Sequence, residues 1–289
     1  LAGKLNEPGW FLLLQIACCL LGGLIVWDPK QHIFAQPLPR LNFTGRLPHG
    51  WERLLLILIL SLIALVFYSG SLAPINNSDS LHTHLPRIYY WIQHASLASW
   101  DSITETQLSY PINLSLQGLW LFLLGGSEML FYLMTALALM VVVLMIYEIA
   151  ILLGATPFAA LFAALASLCY PVILLQTFSY QGDVFVAALA LVSVFFLLRY
   201  FRGDQQIDLA FSLLALAVAL GTKQTAFLYL PFYLLALLLY WLRHKKQARV
   251  YLFAGGIFVV FFASLSSYKF IQNAREQDRL QSSMFASYR

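Results

Sequence analysis

Residues 112–124 read Ile112-Asn113-Leu114-Ser115-Leu116-Gln117-Gly118-Leu119-Trp120-Leu121-Phe122-Leu123-Leu124, a run of thirteen whose path decides the topology of the chain. A bilayer core takes about 20 helical residues, so a run this short is more often interfacial, re-entrant or buried than spanning. Around it lie eight other apolar runs that are candidate spans: Trp10–Trp27, Leu54–Ala73, Met129–Leu153, Phe158–Leu175, Val184–Leu198, Leu209–Leu220, Ala226–Leu242 and Val250–Leu265. The basic residues test whether the short run is a ninth. If it does not cross, Lys30, Arg40, Arg46, Arg53, Arg199, Arg202, Arg243, Lys245, Lys246 and Arg249 all fall on one side, ten of the seventeen Lys and Arg. The positive-inside rule makes that side the cytoplasm.

Composition supports the same reading. Of 289 residues, 61% are apolar and only 30 are charged, which excludes an ordinary soluble enzyme, a disordered chain and a nucleic-acid-binding module. The expected fold is an all-α polytopic membrane protein of about eight transmembrane helices, with interfacial helices in its first outer loop. Residues 1–53 form an extra N-terminal helix and a basic cytoplasmic loop, and residues 54–289 form the main module. Within that module, 74–128 is the first outer loop and 266–289 the C-terminal outer loop. Cys18, Cys19 and Cys169 sit in apolar runs, so neither a disulfide framework nor a zinc site is indicated. The first run lacks a cleavage site and reads as a retained helix. A chain that opens on Leu1 and stops within a loop reads as a piece of a longer one.

The same topology places the polar residues on the extracytoplasmic side. The stretch Asp79-Ser80-Leu81-His82-Thr83-His84-Leu85-Pro86-Arg87 follows the outer end of the second span, and Leu85, Ile88 and Ile92 give it an interfacial apolar stripe. Asp79 reads either as a helix cap or as a functional carboxylate. Asp183 begins the Val184–Leu198 span on the same face, and caps its helix in the plainer reading. Gly221-Thr222-Lys223-Gln224 interrupts two apolar runs, so Lys223 must snorkel to the surface or meet an anion. His82 and His84 stand at i and i+2, which point to different sides of a helix. A divalent metal held by one of them with an acid is the only cofactor the residues leave open, and none is required.

These residues, in this order, resemble the bacterial GT-C glycosyltransferases, the clan of the protein O-mannosyltransferases and the lipid A aminoarabinose transferase. The likeness begins with an Asp-Ser-x-x-x-His-Leu-Pro-Arg-x-x-x-Trp run. It continues through Tyr110-Pro111 before the short helix, Gly125-Gly126 after it, Pro171 ahead of Asp183, and the Gly221–Gln224 turn, over about residues 54–289. The resemblance implies a short helix lying along the membrane, a polyprenyl-phosphate-linked sugar donor, a lipid, glycan or protein acceptor, and an inverting transfer. It implies a multi-pass protein of the bacterial inner membrane with its site on the extracytoplasmic side. By position, Asp79 matches the essential carboxylate of the first outer loop and Asp183 the acid of the second. Ser80 departs from the mannosyltransferases, which carry a second acid there. On this reading Asp79 is the base. Arg87, Lys223 and Arg275 are the phosphate ligands, and His82, His84, Tyr110 and Gln224 complete the substrate-binding set. A transporter or flippase is the competing class, as is a non-catalytic protein of the same fold. Transporters line a midplane path with polar groups, whereas these spans are apolar at their centres except at Gln15.

Overall fold

The computed structural model describes residues 50–275 apart from 73, 99, 101, 103 and 245–247. The expected Trp10–Trp27 span, the basic stretch with Lys30, Arg40 and Arg46, Cys18 and Cys19, and the chain from residue 276 lie outside the described residues. Every regular element among the described residues is helical: α1 (Trp51–Leu72), α2 (Leu85–His94), α3 (Glu105–Ser109), α4 (Asn113–Gly125), α5 (Phe131–Leu152), α6 (Pro157–Leu168), α7 (Pro171–Thr177), α8 (Gly182–Gly203), α9 (Gln206–Leu220), α10 (Leu230–His244), α11 (Ala248–Leu265) and α12 (Ser267–Arg275). A π-helical turn (Ser80–His84) precedes α2, and 3-10 turns precede α5 (Glu128–Leu130) and α10 (Gln224–Tyr229).

Four of these helices, α1, α5, α8 and α10, are long and apolar enough to cross a bilayer, or six if two bent pairs each count as one crossing. Their surfaces are inverted relative to a soluble protein. Trp51, Phe232 and Leu228 are 70% exposed or more, while Ser193, Ser212 and Thr135 are buried. Lipid explains both facts, since it solvates the leucines and leaves hydroxyls to bond one another between helices. Ser212 Oγ donates to the Ser193 carbonyl at 2.6 Å and lies 2.7 Å from the Tyr233 hydroxyl, linking α8, α9 and α10.

Two expected spans differ in form from a straight rod of about 20 residues. Phe158–Leu175 is not one rod. Thr156 caps α6 through the Ala159 amide, the helix stops at Leu168, and α7 departs at 65°. Pro171 is the cause, because its ring holds Tyr170 in an extended conformation (φ −78°, ψ 110°), and hydropathy cannot register that on apolar residues. Leu209–Leu220 lies in α9, whose fifteen residues rise only about 22 Å. It can be short because it is enclosed: nine of its residues, Asp208 among them, are buried, with α8 and α11 packed along it.

The short run that opened the sequence forms α4, and both of its ends lie at one end of the bundle. Its first amide, Asn113 N–H, donates to the Gly221 carbonyl at 3.1 Å, beside the C-terminus of α9. Tyr180 donates its hydroxyl to the Leu114 carbonyl near the start of α4, and its ring packs at 4.8 Å on Phe131, the first residue of α5. The start of α4 and the start of α5 therefore share one level, and α4 does not cross. At the opposite end, Arg199 pairs with Asp208 at 3.3 Å and Tyr240 bonds Asp204, fastening α8 to α9 and α10.

Gly221 marks the tightest approach near the α4 junction. A Cβ there would lie 2.2 Å from Ser266 Oγ and 2.4 Å from Asn113 Nδ2, polar atoms already engaged: Ser266 donates to the Ala217 carbonyl at 2.6 Å and Asn113 to the Val218 carbonyl at 3.3 Å. Gly221→Ala is expected to destabilise the protein by about 1–3 kcal/mol, the usual cost of overpacking. The check is thermal unfolding in lipid nanodiscs, where an unchanged midpoint would contradict this packing.

Candidate active site

The end of the bundle where α4 docks carries most of the ionisable residues singled out in the sequence. The chain leaves α9 at Gly221, turns through Thr222, and extends at Lys223 (φ −152°, ψ 141°) before the 3-10 turn begins. That turn aims the Lys223 side chain at the first turn of α8. Its ammonium meets both oxygens of Asp183 at 2.8 Å and lies 4.0 Å from Asp79 Oδ2. Gln176 Nε2, from α7, lies 3.4 Å from the second Asp183 oxygen. Two carboxylates and one ammonium leave a single formal negative charge at the mouth.

Asp79 is not a cap. It has helical dihedrals (φ −59°, ψ −44°), and its carboxylate takes no backbone amide from the turn it introduces. The plainer reading of this residue is thereby set aside. Asp183 lies one residue beyond the start of α8, where a negative charge favours the helix dipole, but its oxygens bond Lys223 and Gln176. Ser80 ties the two acidic segments together: fully buried, it donates to the Tyr180 carbonyl at 2.8 Å, three residues before Asp183. A second acid at position 80 would bury a charge against that carbonyl.

A pocket of about 90 Å³ opens between these groups, lined by Asp79, His84, Tyr110, Pro111, Gly182, Thr222, Lys223, Gln224 and Thr225. Asp79, His84, Tyr110, Lys223 and Gln224 are thus brought together, with Asp183 against Lys223. His84 is buried, its Nδ1 2.9 Å from Ser115 Oγ and its ring edge-on to Tyr180. Burial first, then the positive charges of Arg87 and Lys223, hold its pKa down at about 3, so the ring is neutral at physiological pH.

Three expected ligands stand elsewhere. His82 is exposed, outside the pocket lining, with Gln107 Nε2 donating to its carbonyl at 2.6 Å. Arg275 is exposed at the end of α12, outside the pocket lining. Arg87 needs the larger correction. Its guanidinium is buried and all five N–H groups are used: Nε to the Gln107 carbonyl, Nη1 to the Pro111 carbonyl and Ser115 Oγ, Nη2 to the carbonyls of Thr106 and Tyr110. Five donors on five acceptors leave none for a phosphate. Burial lowers its pKa to about 10, and it stays cationic. Arg87 is a clasp that holds residues 106–111, and with them Tyr110 and Pro111, against the pocket. Arg87→Met is expected to lower stability by several kcal/mol, since it strips partners from carbonyls across this segment. Unfolding in nanodiscs checks it, and a variant as stable as wild type would leave the clasp without weight.

The sequence reading missed Ser115, Gln176, Asn113 and Ser266. Asn113 and Ser115 were visible as polar residues inside an apolar run, the pattern by which membrane helices bond their neighbours. Among the described residues no group of three or more His, Cys, Asp or Glu is placed to hold a metal ion, so the divalent-metal option has no donor set of that kind here.

Neither the curated proteins nor the solved structures contain a match to this chain. The model of one family does match, that of the dolichyl-phosphate-mannose-protein mannosyltransferases, over residues 111–268, which takes in the start of α4, Asp183, Lys223 and Ser266. The match covers more than half of the chain, the surrounding fold is a bundle of membrane helices, and the clan is the one the sequence resembles. The protein is an integral membrane glycosyltransferase of GT-C type and belongs to the dolichyl-phosphate-mannose-protein mannosyltransferase family.

Proposed function

We propose that this protein moves a sugar from a polyprenyl-phosphate donor to a hydroxyl of a lipid, glycan or protein acceptor at the extracytoplasmic face of a bacterial inner membrane, inverting the anomeric centre. The supporting observation is that Asp79, whose carboxylate caps no helix, lines a small pocket with Lys223, 4.0 Å away. In this reading Asp79 takes the acceptor's proton. The acceptor oxygen bonds the anomeric carbon as the bond from that carbon to the phosphate oxygen breaks. The electron pair leaves with polyprenyl phosphate, which Lys223 receives. Gln224 and Thr225 line the pocket beside Lys223 and would border the same head group. Because the pocket lies at one end of the bundle, the prenyl chain can stay in lipid while its head group enters.

The direct test is transfer of radiolabelled mannose from dolichyl-phosphate mannose to membrane acceptors by the protein in nanodiscs. Release of labelled product supports the reading; binding or translocation of donor without transfer supports the transporter class. The side of the membrane rests on the distribution of Lys and Arg. In a cysteine-free background, thiols introduced at Thr104 and Ser127 are expected to react with an impermeant maleimide from outside intact cells. Labelling of position 127 only after the cytoplasm is opened would reverse the assignment.

A further inference from the structure

We propose that His84 is a substrate-binding residue that presents a fixed Nε2–H donor to an oxygen of the sugar-phosphate head group in the pocket, its tautomer set by Arg87 through Ser115. The proposal rests on the transferase reading for the identity of the ligand; the tautomer rests on the geometry alone.

The direction of each proton follows from a group that has no choice. A guanidinium only donates, so the 3.3 Å contact from Arg87 Nη1 makes Ser115 Oγ an acceptor. Ser115 is fully buried, so its hydroxyl proton needs an acceptor, and among the described residues the other contact of its Oγ is His84 Nδ1 at 2.9 Å, to which the proton is assigned. Nδ1 then accepts, and the proton of a neutral imidazole resides on Nε2. The residue is 5% exposed and yet lines the pocket. Around it stand Arg87 and Ser115 on the buried side, Tyr180 at its edge, and Asp79, Tyr110 and Lys223 in the pocket. Arg87 and Lys223 oppose a positive charge on the ring, as burial does. An imidazole so arranged is neither a base nor a cation for phosphate. What it offers is one N–H in a constant direction, suited to a sugar hydroxyl, a sugar ring oxygen or a phosphate oxygen.

The experiment has a resting arm and a ligand arm, both on the full-length protein with ¹⁵N-labelled histidine in nanodiscs, the His84 signal assigned by its loss in His84→Gln. At rest, the Nε2–H pattern is expected, unchanged between pH 5 and 8, and Ser115→Ala is expected to mix the tautomers. An Nδ1–H ring, or an imidazolium forming in that range, overturns the proposal even if the enzyme transfers sugar. With ligand, polyprenyl phosphate is titrated alone and then with its sugar attached: a shift with phosphate alone assigns the acceptor oxygen to phosphate, and a shift only with the sugar assigns it to the sugar. No shift with either overturns the contact. In kinetics, His84→Gln places an amide N–H near the former Nε2 and is expected to raise the donor KM less than His84→Asn does. His84→Asn, which cannot reach, is expected to raise KM about tenfold. Equal losses in both also overturn the contact. Wild-type protein that carries no transfer activity refutes the transferase reading and leaves the resting tautomer standing.

Discussion

Asp79→Asn is expected to lower sugar transfer by about 10²–10⁴-fold, the range of a lost general base, while the protein folds and inserts as before. The two halves of that expectation have separate grounds. Asn keeps the shape of Asp and caps helices about as well, and Asp79 caps nothing in the first place, so little stability is at stake. An amide cannot take up the acceptor's proton, so the chemical step fails. The substitution also removes one of the two carboxylates near Lys223, at 4.0 Å, but leaves the ammonium donating to both oxygens of Asp183 at 2.8 Å, so Lys223 stays in place. Transfer is measured at matched membrane abundance against wild type. An Asn variant that is folded and retains most of its activity would remove Asp79 from the chemistry and make Asp183 the next candidate.

How far the site was legible in the sequence depends on the range of the interaction that builds it. Bilayer thickness and the placement of basic residues sufficed to read α4 as a helix that does not cross, and the Asn113 bond to Gly221 agrees. The break at Pro171 is also local, yet it sits between Phe158–Leu168 and Val172–Leu175, equally apolar on both sides, so a hydropathy reading joined them. Proline chemistry outweighs hydropathy there. Lys223 and Asp183 are forty residues apart, and the sequence could place both on one face without showing that they touch. Arg87 was misread for a different reason. A lone arginine beside a membrane looks like an anion site, and only the path of the 106–111 backbone and the place of Ser115 reveal that four carbonyls and a hydroxyl have taken every donor.

Lys223→Met is expected to lower kcat/KM by about 10³-fold, and Lys223→Arg to recover part of the loss. Lys223 has two duties that one substitution removes together. At rest its ammonium neutralises Asp183 at 2.8 Å and lies 4.0 Å from Asp79, so Met leaves both carboxylates without the cation they share. In turnover, the donor's phosphate carries one negative charge as a diester and gains a second as its bond to the sugar breaks. A cation at that oxygen therefore binds the donor and stabilises the leaving group still more, which places part of the effect in KM and the larger part in kcat. This differs from a residue that only holds the donor, for which KM alone would move. The discriminating measurement is the dependence of initial rate on polyprenyl-phosphate-sugar concentration for wild type, Lys223→Met and Lys223→Arg in nanodiscs. A Met variant with a raised KM and unchanged kcat would confine Lys223 to binding, and one with neither changed would place the phosphate elsewhere.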